Sequence, residues 1–417
     1  MNSHEKTARS LSHVAGPVPV DFGSNAVTGM HVTVVEALRR HYGLANRPVR
    51  VIEPYQMLGE IEEDLKQAIG VDVEGVYHES TIFGFKLGDW KEWTAPWGQK
   101  LHVPGAFRTV ERDGDVLIYP EGDTSAQPSG RLPQGGYFFD TIIRQGPLVE
   151  DKMDPKDNLQ EFGPIKESTL DYFKTACADA RKTGRYVIAN FGGTGLGDIA
   201  LVTGPMLPHP RGIRDVAEWY MATVANVEYV SAIFDAQTKL AVENLRRIKD
   251  VVADNVDAVF VCGTDFGTQT SQFCSTAAFE SLWAPYYRRV NDWIHANTPW
   301  KTFKHCCGAA EPLMKSFIDS GFDIINPVQL SATGMDAADL KRKYGDRLTF
   351  WGGAVDTQKT MPFGSPAEVR REALDRCAVL SQGGGFVFNS IHNVQAKTPI
   401  ANVVALIDAA REFNKGR

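Results

Sequence analysis

The run VDAVFV at residues 256–261 is apolar almost throughout and only six residues long. That is the pattern of a strand covered on both faces rather than one with a wet side. The chain beyond it repeats one rhythm. Residues 277–296 have helical periodicity, residues 301–304 form a short extended segment, and residues 312–320 are helical again. Strand patterns at 322–325, 347–351 and 386–388 then alternate with helical patterns at 337–344, 366–380 and 399–413. Strand, loop and helix at this spacing predict a parallel sheet with crossover helices.

Punctuation supports these boundaries. Ser365-Pro366 and Thr398-Pro399 each put a hydroxyl N-cap before a proline at the first helical position. Asp336 is placed to cap the helix beginning at Ala337. The triplet Gly383-Gly384-Gly385 ends one helix and permits a tight turn into the last strand.

The first half is less regular. Residues 49–52 are a strand candidate, 58–69 an acidic helix, and 185–190 another barrel strand. Residues 84–140 differ: they are rich in Gly, Pro and Trp and alternate in polarity at 99–103 and 115–119. They read as a β-hairpin insertion lying over one end of the barrel. The expected architecture is α/β, a (β/α)8 TIM-type barrel forming one domain over 1–417, with a β-rich insertion at about 84–140.

Composition narrows the function classes. The chain has 417 residues, 43% hydrophobic and 23% charged, with a formal net charge of −7. No dense Lys/Arg block marks a nucleic-acid surface. No stretch reaches the ~18 apolar residues of a membrane span, and residues 1–13 lack the apolar core of a signal peptide. Two of the six cysteines, Cys306 and Cys307, are adjacent and so poorly placed to pair. A cytoplasmic enzyme with thiols kept for chemistry is expected.

The sharpest local feature is Lys304-His305-Cys306-Cys307-Gly308, at the end of a predicted strand. Barrel enzymes carry their catalytic groups at that end. His305 and Cys307 are two apart, so extended backbone points both the same way, and both side chains are good zinc ligands. The alternative is a buried thiol beside a core histidine. His392, just past the last strand, is placed to face the same pocket, or else to bond a backbone carbonyl. Asp265 follows the 256–261 strand. It is placed to orient a ligand, act as a base or coordinate a metal, or to cap its own Gly-flanked turn. Gln269, Asn326, Gln329 and Asp356 lie in the loops after successive strands, and suggest a polar pocket lining. The glycine-rich run 192–197 lacks the lysine of a phosphate-binding loop and is set aside.

Taken together, HCCG at 305–308, GFDIINPVQ at 321–329, WGG at 351–353 with DTQ at 356–358, GGG at 383–385 and residues 389–398 resemble the uroporphyrinogen decarboxylase superfamily. The likeness runs over about 254–413 and is fainter over 18–75. The superfamily includes zinc-dependent methyltransferases that act with corrinoid proteins, coenzyme M or folate. True decarboxylases hold a polycarboxylate substrate with an N-terminal arginine motif. Arg39, Arg40, Arg47 and Arg50 do not form that motif.

The resemblance therefore implies the methyltransferase-like branch. Zinc would sit on His305, Cys307 and, where that branch has a later cysteine, His392. Asp265 and His392 would act in catalysis. Gln269, Asn326, Gln329 and Asp356 would bind substrate. The partners would be a small methyl donor and a corrinoid carrier protein, thiol or tetrahydrofolate acceptor, in a possible homodimer, with no nucleic acid and no membrane. The alternative is a decarboxylase or lyase of a small acid. A barrel used only for binding is the third reading.

Overall fold

The computed structural model describes residues 1–416. Seven short strands make one parallel sheet: β1 (Val73–Val76), β2 (Tyr186–Ala189), β3 (Ala258–Cys262), β4 (Lys301–His305), β5 (Ile324–Asn326), β6 (Thr349–Trp351) and β7 (Phe386–Val387). They lie side by side in chain order, each hydrogen-bonded in parallel to the next. The extended segment 19–21 bonds to both edges. Asp21 N donates to Phe388 O at 2.9 Å, Phe388 N to Pro19 O at 2.8 Å, and Asp72 N to Val20 O at 2.8 Å. The sheet is thus curled until its outer strands share a partner.

Strand alternation divides the core in two. Val73, Tyr186, Ile188, Ala258, Phe303, Ile324, Trp351 and Val387 form one buried cluster, with a contribution from every strand, and this is the interior of the curled sheet. Leu11 joins it from the N-terminal helix Ser3–Leu11, which starts in a capping box of Asn2 and Glu5. The larger cluster fills the space between sheet and helices.

The helices following β3 to β7 fall close to their expected places, with instructive differences. The single helix expected over 277–296 is two, Thr276–Leu282 and Ala284–Asn297. Pro285 opens the second and has no N–H with which to continue the first. The segment 58–69 is not one helix but a two-residue strand, Leu58–Gly59, and a helix, Glu63–Ile69. Asp336 caps its helix, and Ser365 forms a capping box with Glu368. Thr398 does not cap: the last helix begins at Ile400 after Pro399. The longest helix, Val227–Val252, was not expected. It turns Val230, Ile233, Phe234, Ala241, Leu245, Ile248 and Val252 into the core at helical spacing.

Apart from β1, the strands between Val49 and Thr141 form two four-stranded sheets. Val49–Glu53 pairs in parallel with Lys100–Val103 and antiparallel with Leu58–Gly59, and Lys91–Thr94 completes the first sheet. The strand expected at 49–52 therefore belongs to this layer, outside the seven-stranded sheet. Thr109–Arg112, Asp115–Ile118, Gly130–Leu132 and Asp140–Thr141 form an antiparallel meander. The layer is tied to the chain just past β7. The His31 ring bonds Tyr137 O at 2.8 Å, and His31 N donates to Val394 O at 2.9 Å.

Candidate metal centre

Alternation along β4 turns Phe303 into the sheet interior and brings His305 out at its C-terminal end, on the same side. Cys307 follows two residues later. His392 comes from the loop after β7. The donor atoms of His305, Cys307 and His392 all lie within 4.8 Å of one another. Cys307 Sγ is 3.4 Å from His305 Nε2, and the two imidazole centroids are 5.5 Å apart.

Each group is held by neighbours that leave its donor atom facing the other two. His305 is buried, and its Nδ1 lies 2.7 Å from Asn326 Oδ1. Asn326 is oriented in turn by Nδ2 donating to Trp351 O at 2.9 Å. His305 Nδ1 therefore carries the proton, and the Nε2 lone pair faces Cys307. This is how metal-ligating histidines are commonly fixed. His392 is enclosed on most sides, yet among the described residues no protein group hydrogen-bonds to its ring. Its backbone is anchored instead. Ser390 Oγ donates to His392 O at 2.6 Å, while Asn393 accepts from Gly29 N at 2.6 Å and donates to Ala26 O and Gln56 Oε1.

The electrostatics suit a cation. Burial, reinforced by the nearby His305, pushes the His392 imidazole down to about 4, and burial also lowers His305. Both are then neutral at neutral pH, with lone pairs to give. Burial first, and Asp265 second, push the Cys307 thiol well above its ordinary range. A metal cation reverses that preference, because a coordinating thiol is deprotonated outright. Asp265 Oδ1 accepts from Cys307 N at 2.6 Å and lies 3.8 Å from His305 Nε2, which places a negative charge beside the donor set. Two imidazoles and a thiolate, backed by a carboxylate, form a donor set suited to zinc.

Two glycines let the loops meet. At Gly308, with φ at +87°, an added Cβ would stand 2.4 Å from the carbonyl carbon of Gly267, and one on Gly267 would be 2.6 Å from Cys307 O. No side chain fits between these backbones. Gly308 N donates to Gln329 Oε1 at 2.8 Å, and Gln329 Nε2 to Gln269 Oε1 at 3.0 Å, so the loops after β3, β4 and β5 are stitched together.

The structure thus gathers His305, Cys307, His392, Asp265, Gln269 and Gln329 by contact. Asn326, expected to bind substrate, is fully buried with both ends of its amide committed to His305 and Trp351. Asp356 accepts from Gln358 N at 2.7 Å within its own turn. Sequence reasoning passed over Asp198, which directly follows the glycine run that was set aside. Its side chain is half-buried, and desolvation raises the carboxyl to about 6, with Asp265 near enough to add to the effect. It also passed over Tyr220, whose buried hydroxyl has no partner among the described residues. Burial raises that phenol, with Asp265 contributing. A carboxylate closing a glycine-rich strand-end loop was the available signal for Asp198. Tyr220 lies on a helix and gave none.

Curled parallel sheet, covering helices and a polar cluster at the strand ends define an α/β protein of the barrel type. Residues 144–413 match the uroporphyrinogen decarboxylase (URO-D) family, and the chain belongs to that family. Uroporphyrinogen decarboxylases from strains of Coxiella burnetii are 31% identical to it over 101 residues, 24% of this chain and 26% of theirs. The match spans about a quarter of those relatives' length. A methyltransferase from Methanosarcina mazei shares the fold from end to end. It superposes with a TM-score of 0.55 at 13% identity, covering 99% of each chain. No helix among the described residues is long and apolar enough to cross a membrane.

Proposed function

We propose that this protein is a methyl-transfer enzyme built as a (β/α)8 barrel, with zinc held by His305, Cys307 and His392. The observation that carries the reading is the convergence of the three donor atoms within 4.8 Å, with no protein group among the described residues hydrogen-bonded to the His392 ring. When bound, zinc supplies a Lewis acid that polarises the heteroatom of a methyl donor or favours the thiolate of an acceptor. The full-length likeness to a protein described as a methyltransferase supports this branch of the family.

The chain's own residues do the rest. Asn326 holds the His305 tautomer. Asp265 fixes the Cys307 backbone and presents negative charge to the pocket. Gln329 braces Gly308 N and Gln269, Gln269 is the amide placed to orient a substrate, and Asp356 is a further candidate. Methyl transfer needs in-line approach of nucleophile and carbon, and positioning supplies much of the rate. The β-rich layer, anchored beside the His392 loop, acts as the cover that excludes water. The other methyl partner is a corrinoid protein, a thiol or tetrahydrofolate.

The arginines argue against a polycarboxylate substrate. Arg39 and Arg47 pair with Glu62 and Asp64, Arg40 with Glu36, and Arg50 with Glu60. They are committed to carboxylates of the chain. The test uses free cob(I)alamin as acceptor with a panel of methoxylated and methylated small molecules. Formation of methylcobalamin, lost in His305→Ala and Cys307→Ser, is expected. Carbon dioxide release from a small acid without any acceptor would instead establish the lyase reading.

A further inference from the structure

Lys304 has no part in the reading above, although it stands next to His305. Alternation along β4 sends it away from the sheet interior, into the layer under the helices, and it is fully buried. Its Nζ donates to Thr264 O at 2.6 Å and to His305 O at 2.7 Å. The ring centroids of Phe266, Tyr287 and Phe317 stand 5.1, 5.5 and 5.8 Å from it. Among the described residues, no carboxylate lies within ion-pair distance.

A buried ammonium without a carboxylate partner is a poor way to stabilise a fold. A methionine would fill the same space among three aromatic rings without desolvating a charge. What the ammonium does that a methionine cannot is join two particular carbonyls. Thr264 immediately precedes Asp265, whose carboxylate holds Cys307 N. His305 is itself a donor. One side chain thus ties the C-terminal end of β3 to that of β4, at the residues that carry the cluster.

We infer that Lys304 is a positioning residue for the metal centre, holding the ends of β3 and β4 in the register at which His305, Cys307 and Asp265 converge. The inference rests on the metal reading proposed above. The two effects of its removal on metal affinity have opposite signs. Coulomb repulsion alone predicts that loss of a nearby positive charge tightens binding of a divalent cation. Loss of the tether predicts weaker binding.

The experiment compares metal-free wild type, Lys304→Met and Lys304→Gln. Zn²⁺ affinity is read by competition with a chelator, the Co²⁺ form by its thiolate-to-cobalt absorption band, and folding by circular dichroism and cooperative melting. The expected result is Zn²⁺ binding weakened about tenfold or more in both folded variants, with a diminished or shifted cobalt band. Should Lys304→Met not fold, Lys304→Gln decides. A folded variant with unchanged or tighter Zn²⁺ binding and an unchanged cobalt band overturns the role of Lys304 while leaving the metal centre intact. A wild type that binds neither metal overturns the metal reading itself, and the role of Lys304 with it.

Discussion

Asn326→Ala separates the support of the centre from its ligands. The amide is fully buried and makes two bonds, from His305 Nδ1 at 2.7 Å and to Trp351 O at 2.9 Å. Truncation leaves a buried donor and a buried acceptor unsatisfied, each costing about 1–3 kcal/mol. The metal-free protein should therefore lose about 2–6 kcal/mol of stability, read by urea unfolding. The His305 ring, freed to turn or to change tautomer, should also bind Zn²⁺ about 10–100-fold more weakly in chelator competition. Asn326→Asp keeps an acceptor for His305 and loses only the donor to Trp351 O, so it should retain more affinity than Asn326→Ala. An Asn326→Ala protein that is destabilised yet binds Zn²⁺ as tightly as wild type would refute the claim that this amide sets the His305 lone pair.

Three further outcomes are expected. Gly308→Ala places a Cβ 2.4 Å from the Gly267 backbone at a φ of +87°. It should cost at least about 2 kcal/mol and lower metal occupancy, measured by thermal melting and elemental analysis. Asp265→Asn keeps an acceptor for Cys307 N but removes a charge that raises the thiol; metal-free Cys307 should then be alkylated faster by iodoacetamide at neutral pH, followed by mass spectrometry. Glu53 is raised by burial from 4.5 to about 7. The folded state therefore holds this proton more tightly than the unfolded state. Its contribution to stability is complete below about 4.5 and is lost as pH rises through about 7. Glu53→Gln should show a smaller fall in urea stability between those limits than wild type, and an equal fall would exclude the assignment.

The second half of the chain was legible because its strands alternate with helical patterns, two of which open on the side-chain caps that their sequence implies. β3 to β7 lie within a few residues of their expected places, and Ser365 and Asp336 cap as their positions imply. The first half was less so: β2 lies where the strand 185–190 was expected, but the strands of this half belong to three sheets. Val49–Glu53 looks locally like any other short apolar strand. Only its partners, Lys100–Val103 and Leu58–Gly59, assign it to the outer layer. The division of 277–296 at Trp283 was written in Pro285, whose missing N–H outweighed the unbroken apolar periodicity.

The site divides in the same way. His305 and Cys307 were readable from spacing on an extended strand, and His392 from its place after the last strand. The task of Asn326 was hidden, because an asparagine after a strand looks alike whether it faces a substrate or the back of a histidine. Lys304 was hidden for a related reason: a lysine beside a catalytic-looking motif suggests solvent or ligand, and only the alternation of β4 turns it under the helices.

X-ray absorption at the zinc edge, on protein purified without added metal or chelator, tests the central claim most directly. The expected result is about one zinc per chain with one sulfur near 2.3 Å and nitrogen ligands at about 2.0–2.1 Å, with the sulfur lost in Cys307→Ser and a nitrogen lost in His392→Ala. A metal-free protein, or a zinc shell without sulfur, would contradict it.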